Sequence, residues 1–222
     1  MARETEFPRE RARLVAELVR AGDIRTSDVR EAFLRVPREA FVRPEYRAVA
    51  YDDAPLPIGE GQTISAPSMI AIMLEEAAFR AGERVLEVGT GSGYHAALVA
   101  CLVGAENVVT VERVPALAKW GRSNLTAAGF DGVAVVTGDG SLGYPARAPY
   151  DCILATAGAP RLPAAWAGQL TDRGRIVAPV GGSRYYQDLL IARRCPDGSL
   201  EVRHGTPCAF VPLIGEQAWS DR

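Results

Sequence analysis

The chain has 222 residues, of which 48% are hydrophobic and 23% charged, with a formal net charge of −2, the profile of one globular domain of ordinary size. No run reaches the roughly 18 apolar residues of a membrane span, and the balanced charge leaves no basic face of the kind nucleic-acid binders carry. The opening MARETEFPRERARLVAEL lacks a secretory signal, and Cys101, Cys152, Cys195 and Cys208 lie far apart without a CxxC pair, so reduced thiols, no metal site and a cytoplasmic location are expected.

Residues 9–42 carry two helical patterns. Leu14, Val15, Leu18 and Val19 form one apolar stripe and Val29, Ala32, Phe33 and Val36 the next, with Thr26 or Ser27 as a cap between them and Pro37 as the stop. Residues 51–68, YDDAPLPIGEGQTISAPS, combine Pro and Gly with Leu56, Ile58 and Ile64, which predicts a long ordered loop of the kind that tends to be functional. From Arg84 onward strands and helices alternate: RVLEVG, a helix over 94–103, NVVTVE, a helix over 115–128, VAVVT, YDCILAT, a helix over 162–170, RIVAPV, and two further strands at DLLIARR and AFVPL. That order predicts an α/β domain with a mostly parallel sheet and helices on both faces. One domain over 1–222 is expected: N-terminal helices and a substrate-side loop in 1–60, a cofactor core in 61–182, and C-terminal strands in 183–222.

VLEVGTGSGY places Gly89, Gly91 and Gly93 at a strand end that opens a helix, where backbone approaches a ligand that a side chain would block. The spacing is GxGxG and not the GxGxxG that aims a helix at a pyrophosphate, which disfavours an NAD-dependent oxidoreductase and suits S-adenosylmethionine, a ligand with no phosphate. Glu87 is positioned to meet its ammonium. Glu112, at the next strand end, is placed to accept both ribose hydroxyls, and Asp139, between Gly138 and Gly140, to accept from the adenine amino group. Taken singly, each has a plainer reading as a tight turn or a solvated strand end.

LPIGEGQTISAPSMIAIM (56–73) and CAFVPLIGE (208–216) flank this core. With VPREAFV, EVGTGSGY, GDGSLGYPARAPYD, ATAGAP and PVG in the same order, they resemble the protein-L-isoaspartate O-methyltransferases over about Ala32 to Trp219, and FVPLIGEQAW is most similar to the archaeal forms. The resemblance implies a Rossmann-like S-adenosylmethionine-dependent methyltransferase fold and, as substrates, isoaspartyl-containing proteins and peptides. It implies Ser65 as the active-site residue, and cofactor contacts at Gln62, Thr63, Ile64, Ser65, Gly89, Thr90, Gly91, Ser92, Gly93, Glu112, Arg113, Asp139 and Gly140. Ile58, Thr63, Ser65, Phe210 and Val211 are expected on the substrate side, as strand edges at 62–65 and 208–211 that hold the peptide by its backbone. Ser68 and Ile70 depart from the residues common in the family and bear on peptide preference.

The chemistry needs no general base, because an isoaspartyl carboxyl with a pKa near ~4 is ionised at neutral pH. His95 and His204 are the two histidines and read as packing or surface residues. Ser65 reads equally as a cap for a helix starting near Pro67. A monomer is expected. A methyltransferase with another acceptor, or a non-catalytic module that binds S-adenosylmethionine, would keep the core motifs, and turnover on an isoaspartyl peptide discriminates between them.

Overall fold

The computed structural model describes residues 6–221. Helices α1 (Phe7–Ala21) and α2 (Ser27–Arg35) precede a small hairpin, β1 (Leu56–Gly59) and β2 (Gln62–Ile64), and α3 (Pro67–Ala77). Then come β3 (Val85–Val88), α4 (Tyr94–Val103), β4 (Val108–Glu112), α5 (Pro115–Ala127), β5 (Ala134–Thr137), β6 (Tyr150–Ala155), α6 (Ala164–Ala167), β7 (Leu170–Val180), β8 (Gln187–Arg194) and β9 (Leu200–Cys208). Among the described residues no helix is long and apolar enough to cross a membrane.

Strands β3 to β9 form one seven-stranded sheet in the order β5-β4-β3-β6-β7-β8-β9, parallel from β5 to β7 and antiparallel beyond. Successive residues of the buried strands point to opposite faces: Val85, Cys152, Leu154 and Val177 join one apolar cluster, and Leu86, Ile153, Ala155 and Ile176 the other. The first cluster takes in helices α1 to α5. The second is covered by Trp166 of α6, Tyr150 and Leu213, so one face carries most of the helices. Right-handed crossovers that travel the same way along a sheet land on the same side. The order reverses between β3 and β6, which opens a crevice at their carboxyl ends.

Three expectations change. The segment 51–68 contains the antiparallel hairpin, pairing Leu56 with Ile64 and Pro57 with Thr63, because Gly59 (φ 95°), Glu60 (φ 54°) and Gly61 (φ 68°) supply the left-handed turn. The division at 60/61 falls inside that turn. The helix expected over 162–170 shrinks to Ala164–Ala167, bounded by Pro163 and Gly168, and Leu170 already opens β7. AFVPL is not a strand. The last strand is β9, whose residues are mostly exposed, so the apolar alternation that marks a half-buried strand is missing.

Thr26 occupies the N-cap position of α2 without capping it by its side chain. Its amide, its hydroxyl and the amide of Arg25 all donate to Oε1 of Glu75 on α3, at 2.8, 3.0 and 2.8 Å. Glu75 is buried and therefore ties the α1–α2 junction to the helix beneath the hairpin. Replacing Glu75 by Ala leaves those amides without their acceptor. A loss of about 2–3 kcal/mol in unfolding free energy is expected from urea titration, and an unchanged midpoint contradicts it.

Candidate active site

The crevice is a cleft of about 860 Å³, a volume that includes open solvent. Its floor is the turn after β3. Gly89 (φ 101°) has backbone that L side chains rarely adopt, and a Cβ there would sit 2.4 Å from Oγ1 of Thr156. The Thr156 hydroxyl donates to the Gly89 carbonyl at 2.7 Å, and Asn124 Nδ2 to the Ser92 carbonyl at 2.9 Å, so the turn is held from two sides. A Cβ on Gly140 would meet Val88 Cγ1 at 2.4 Å.

Glu112 closes the far wall and is 8% exposed. Its Oε2 accepts from the Gly91 amide and its Oε1 from the Val114 amide, both at 2.9 Å. A carboxylate offers about four acceptor positions, so each oxygen keeps capacity toward the cleft.

The hairpin β1–β2 forms the roof, contributing Ile58 and residues 62–65. Two arginines hold it. Arg38, fully buried, donates from Nε to the Ala50 carbonyl and from Nη2 to the Ser65 carbonyl, each at 2.9 Å, and its guanidinium lies 5.1 Å from the Tyr94 ring centroid. Burial lowers the Arg38 pKa to about 10, so it stays a cation at neutral pH. Arg43 donates to the Ile58 carbonyl at 2.9 Å and lies 4.1 Å from the Trp120 ring centroid. Ser65 therefore has a pinned backbone, while its hydroxyl makes no hydrogen bond among the described residues. It does not cap α3: the N-cap is Ala66, and Asp53 Oδ1 accepts from the Ser68 amide at 2.8 Å.

Comparison with known proteins gives the family. A model of the protein-L-isoaspartate(D-aspartate) O-methyltransferase family matches residues 9–218. The chain belongs to this family. Among its relatives, the protein-L-isoaspartate O-methyltransferase of Hyperthermus butylicus is 51% identical over 99% of this chain and 95% of its own length. That of Methanopyrus kandleri is 52% identical over 97% and 96%. A solved protein-L-isoaspartate O-methyltransferase superposes with a TM-score of 0.84 at 32% identity, covering 94% of this chain and 67% of its own. A Plasmodium falciparum structure assigned to the same enzyme, in complex with S-adenosyl-L-homocysteine, gives 0.80 at 25% identity over 90% and 96%.

The cofactor of the family is S-adenosylmethionine, and the cleft fits it: a turn of glycines at positive φ along the floor, and a carboxylate with free acceptor capacity on the facing wall. Of the residues read from the sequence, Ile58, Gln62, Thr63, Ile64, Ser65, Gly89, Thr90, Gly91, Ser92, Glu112, Arg113, Gly140 and Val211 line it. Glu87, Gly93, Gly138, Asp139 and Phe210 are not among the lining residues. Glu87 is fully buried, accepting from Thr110 Oγ1 at 2.5 Å on one oxygen and paired with His95 Nδ1 at 2.9 Å on the other. Gly93 caps α4 and packs toward Leu125 of α5. Gly138 donates its amide to the Glu112 carbonyl, while Gly140 lines the cleft.

Asp139 turns to the C-terminal segment: Oδ1 accepts from the amide and hydroxyl of Ser141 at 2.8 and 2.7 Å, and Oδ2 from the Glu216 amide at 2.8 Å. The Phe210 amide is taken by Gln187 Oε1 at 2.8 Å, and the Val211 carbonyl accepts from the Gly158 amide. The edge expected at 208–211 is thus already engaged. Sequence reasoning missed Arg38, which it quoted within VPREAFV without a role, and His95, which lines the cleft.

Proposed function

We propose that this chain transfers the methyl group of S-adenosylmethionine to the free carboxylate of isoaspartyl residues in damaged proteins and peptides, with Ser65 orienting that carboxylate. The observation that carries the role of Ser65 is its position: a hydroxyl without a hydrogen-bond partner among the described residues on the roof of the cleft, its backbone anchored by a buried arginine. The glycine turn, with Glu112 and Arg113, holds the cofactor, and Ile58, Thr63 and Val211 border the peptide. The chain works as one methyltransferase domain.

Bound S-adenosylmethionine supplies an electrophilic methyl group on a sulfonium. The substrate carboxylate is ionised, so no residue of this chain has to remove a proton. Ser65 donates a hydrogen bond to one carboxylate oxygen and leaves the other free to form the new C–O bond as the C–S bond breaks. Orientation of this kind contributes several kcal/mol, on the order of 7 in the best cases. The methyl ester expels methanol far more readily than a carboxylate expels oxide, so the following peptide nitrogen attacks the ester carbonyl, the N–C bond forming as the C–O bond breaks and methanol carries off the amide proton; hydrolysis of the resulting succinimide restores part of the chain to normal aspartate.

The test is methyl transfer to two peptides identical except for isoaspartate or aspartate at one position. Label confined to the isoaspartyl peptide, released by mild base, is expected; label on neither, with S-adenosyl-L-homocysteine binding intact, points to another acceptor. Ser65→Ala is expected to lower kcat about tenfold or more with unchanged S-adenosyl-L-homocysteine affinity, and a wild-type kcat removes Ser65 from the mechanism. We also assign the enzyme to the cytoplasm as a monomer. Supporting the monomer, the edge strand β9 carries Glu201 and Arg203 on an exposed run, charges that discourage edge-to-edge pairing. Light scattering on the eluted protein checks it.

A further inference from the structure

Beneath the glycine turn runs a chain of hydrogen bonds whose direction is determined by its members. Glu87, in the middle of the sheet and without solvent exposure, acts as acceptor for the Thr110 hydroxyl at 2.5 Å. With the Thr110 proton so committed, its oxygen accepts from the Thr90 hydroxyl at 2.8 Å. The other Glu87 oxygen faces His95 Nδ1 at 2.9 Å, and a carboxylate acceptor there places the imidazole proton on Nδ1. In the neutral ring, Nε2 is then a lone-pair acceptor. His95 is 6% exposed, its Nε2 is buried without a hydrogen-bond partner among the described residues, and it lines the cleft beside Gly89, Thr90, Gly91 and Ser92.

A buried acceptor without a donor is costly and calls for an explanation. Here one wall of a ligand cleft presents an acceptor with the buried Glu87 carboxyl directly behind it. The complementary ligand group is a cationic N–H donor. We propose that His95 Nε2 receives the ammonium of the amino-acid end of S-adenosylmethionine, with Glu87 acting through the imidazole as the positioning residue. The inference rests on the S-adenosylmethionine reading of the cleft and assigns to His95 the contact that the buried Glu87 does not make itself. Carboxylate and ammonium are joined by the ring, as a metal-bound histidine is oriented by a carboxylate behind it.

The test compares two ligands by calorimetry: S-adenosyl-L-homocysteine, which carries the amino-acid end, and 5′-methylthioadenosine, which keeps the adenosine and the sulfur but lacks it. His95→Leu is expected to weaken the first by about tenfold to a hundredfold and leave the second unchanged. His95→Gln, which can hold a carbonyl acceptor at similar reach, is expected to recover part of the difference. Equal losses for both ligands, or no loss, overturn the proposal. Wild-type protein that binds neither ligand overturns the cofactor reading itself, and the proposal with it.

A second measurement needs no variant. With only two histidines, nitrogen NMR of the wild-type protein labelled at histidine resolves His95 from the exposed His204. The His95 Nε2 resonance is expected to shift from that of a bare lone pair toward that of a hydrogen-bonded one on adding S-adenosyl-L-homocysteine, and not on adding 5′-methylthioadenosine. An unmoved resonance in the presence of bound S-adenosyl-L-homocysteine sinks the assignment.

Discussion

Replacing Glu112 by Ala is expected to weaken S-adenosyl-L-homocysteine binding on the order of a hundredfold or more, since hydrogen bonds to charged groups contribute about 1.5–3 kcal/mol each. Two losses combine. The variant removes the acceptor for the Gly91 and Val114 amides, both held at 2.9 Å, so the glycine turn loses a tether on the side facing the cofactor. It also removes the remaining lone pairs, the acceptors proposed for the ribose hydroxyls. Glu112→Gln separates the two. Its single carbonyl can keep one amide, but the amino group it introduces would face the other N–H, so an intermediate loss is expected. Calorimetry on the three proteins decides the matter, and an alanine variant binding within twofold of wild type removes Glu112 from the cofactor site. Thermal unfolding in the absence of ligand shows how much of the loss is local structure.

Arg175→Met is expected to lower the unfolding free energy by about 3 kcal/mol or more, the range for removing one partner of a buried pair. Arg175, on β7 and 5% exposed, pairs with Glu83 through Nη1 at 3.0 Å and Nη2 at 2.6 Å. The same guanidinium donates to the Ala77, Ala78 and Asp151 carbonyls and lies 5.5 Å from the Phe79 ring centroid. Ala78 ends α3 with a left-handed φ of 49°, a conformation a residue with a Cβ adopts only at a cost. Arg175 satisfies carbonyls at that helix end and sets a positive charge against the negative end of its dipole. Methionine keeps much of the volume and none of the donors, leaving the Glu83 carboxyl with the Arg80 amide and no guanidinium. Urea unfolding measures the loss; a change below 1 kcal/mol would show that water replaces the guanidinium at little cost. The cleft is lined by other residues, so the Km for peptide of the folded variant is expected to stay near wild type.

Much of the site was legible because its chemistry is backbone chemistry. Gly89 has to be glycine, since its positive φ leaves no room for a Cβ near Thr156, and Gly91 is favoured by its left-handed φ, with a Cβ pressing on the end of Ile58; that requirement is written directly in the residue type. The parallel strands were equally visible, since a sheet buried on both faces demands continuous apolar runs. Strand β9 was not: an exposed edge strand is held by ladder hydrogen bonds to β8, which any sequence can make. The hairpin read as a loop because Pro57 and Gly59 are loop-like in composition.

By itself, then, the sequence determined the sheet core, the glycine cradle, the acidic wall at Glu112 and the family. Only the tertiary structure decided which way the carboxylates point. Glu87 and Asp139 sit at the positions where a cofactor carboxylate is expected, yet one turns inward to His95 and Thr110 and the other outward to Ser141 and Glu216. The same holds for Arg38 and His95, whose partners lie on Ser65 and Glu87. A side chain's direction depends on which distant polar groups need a partner once burial has removed water, and that demand exists only after the chain has folded.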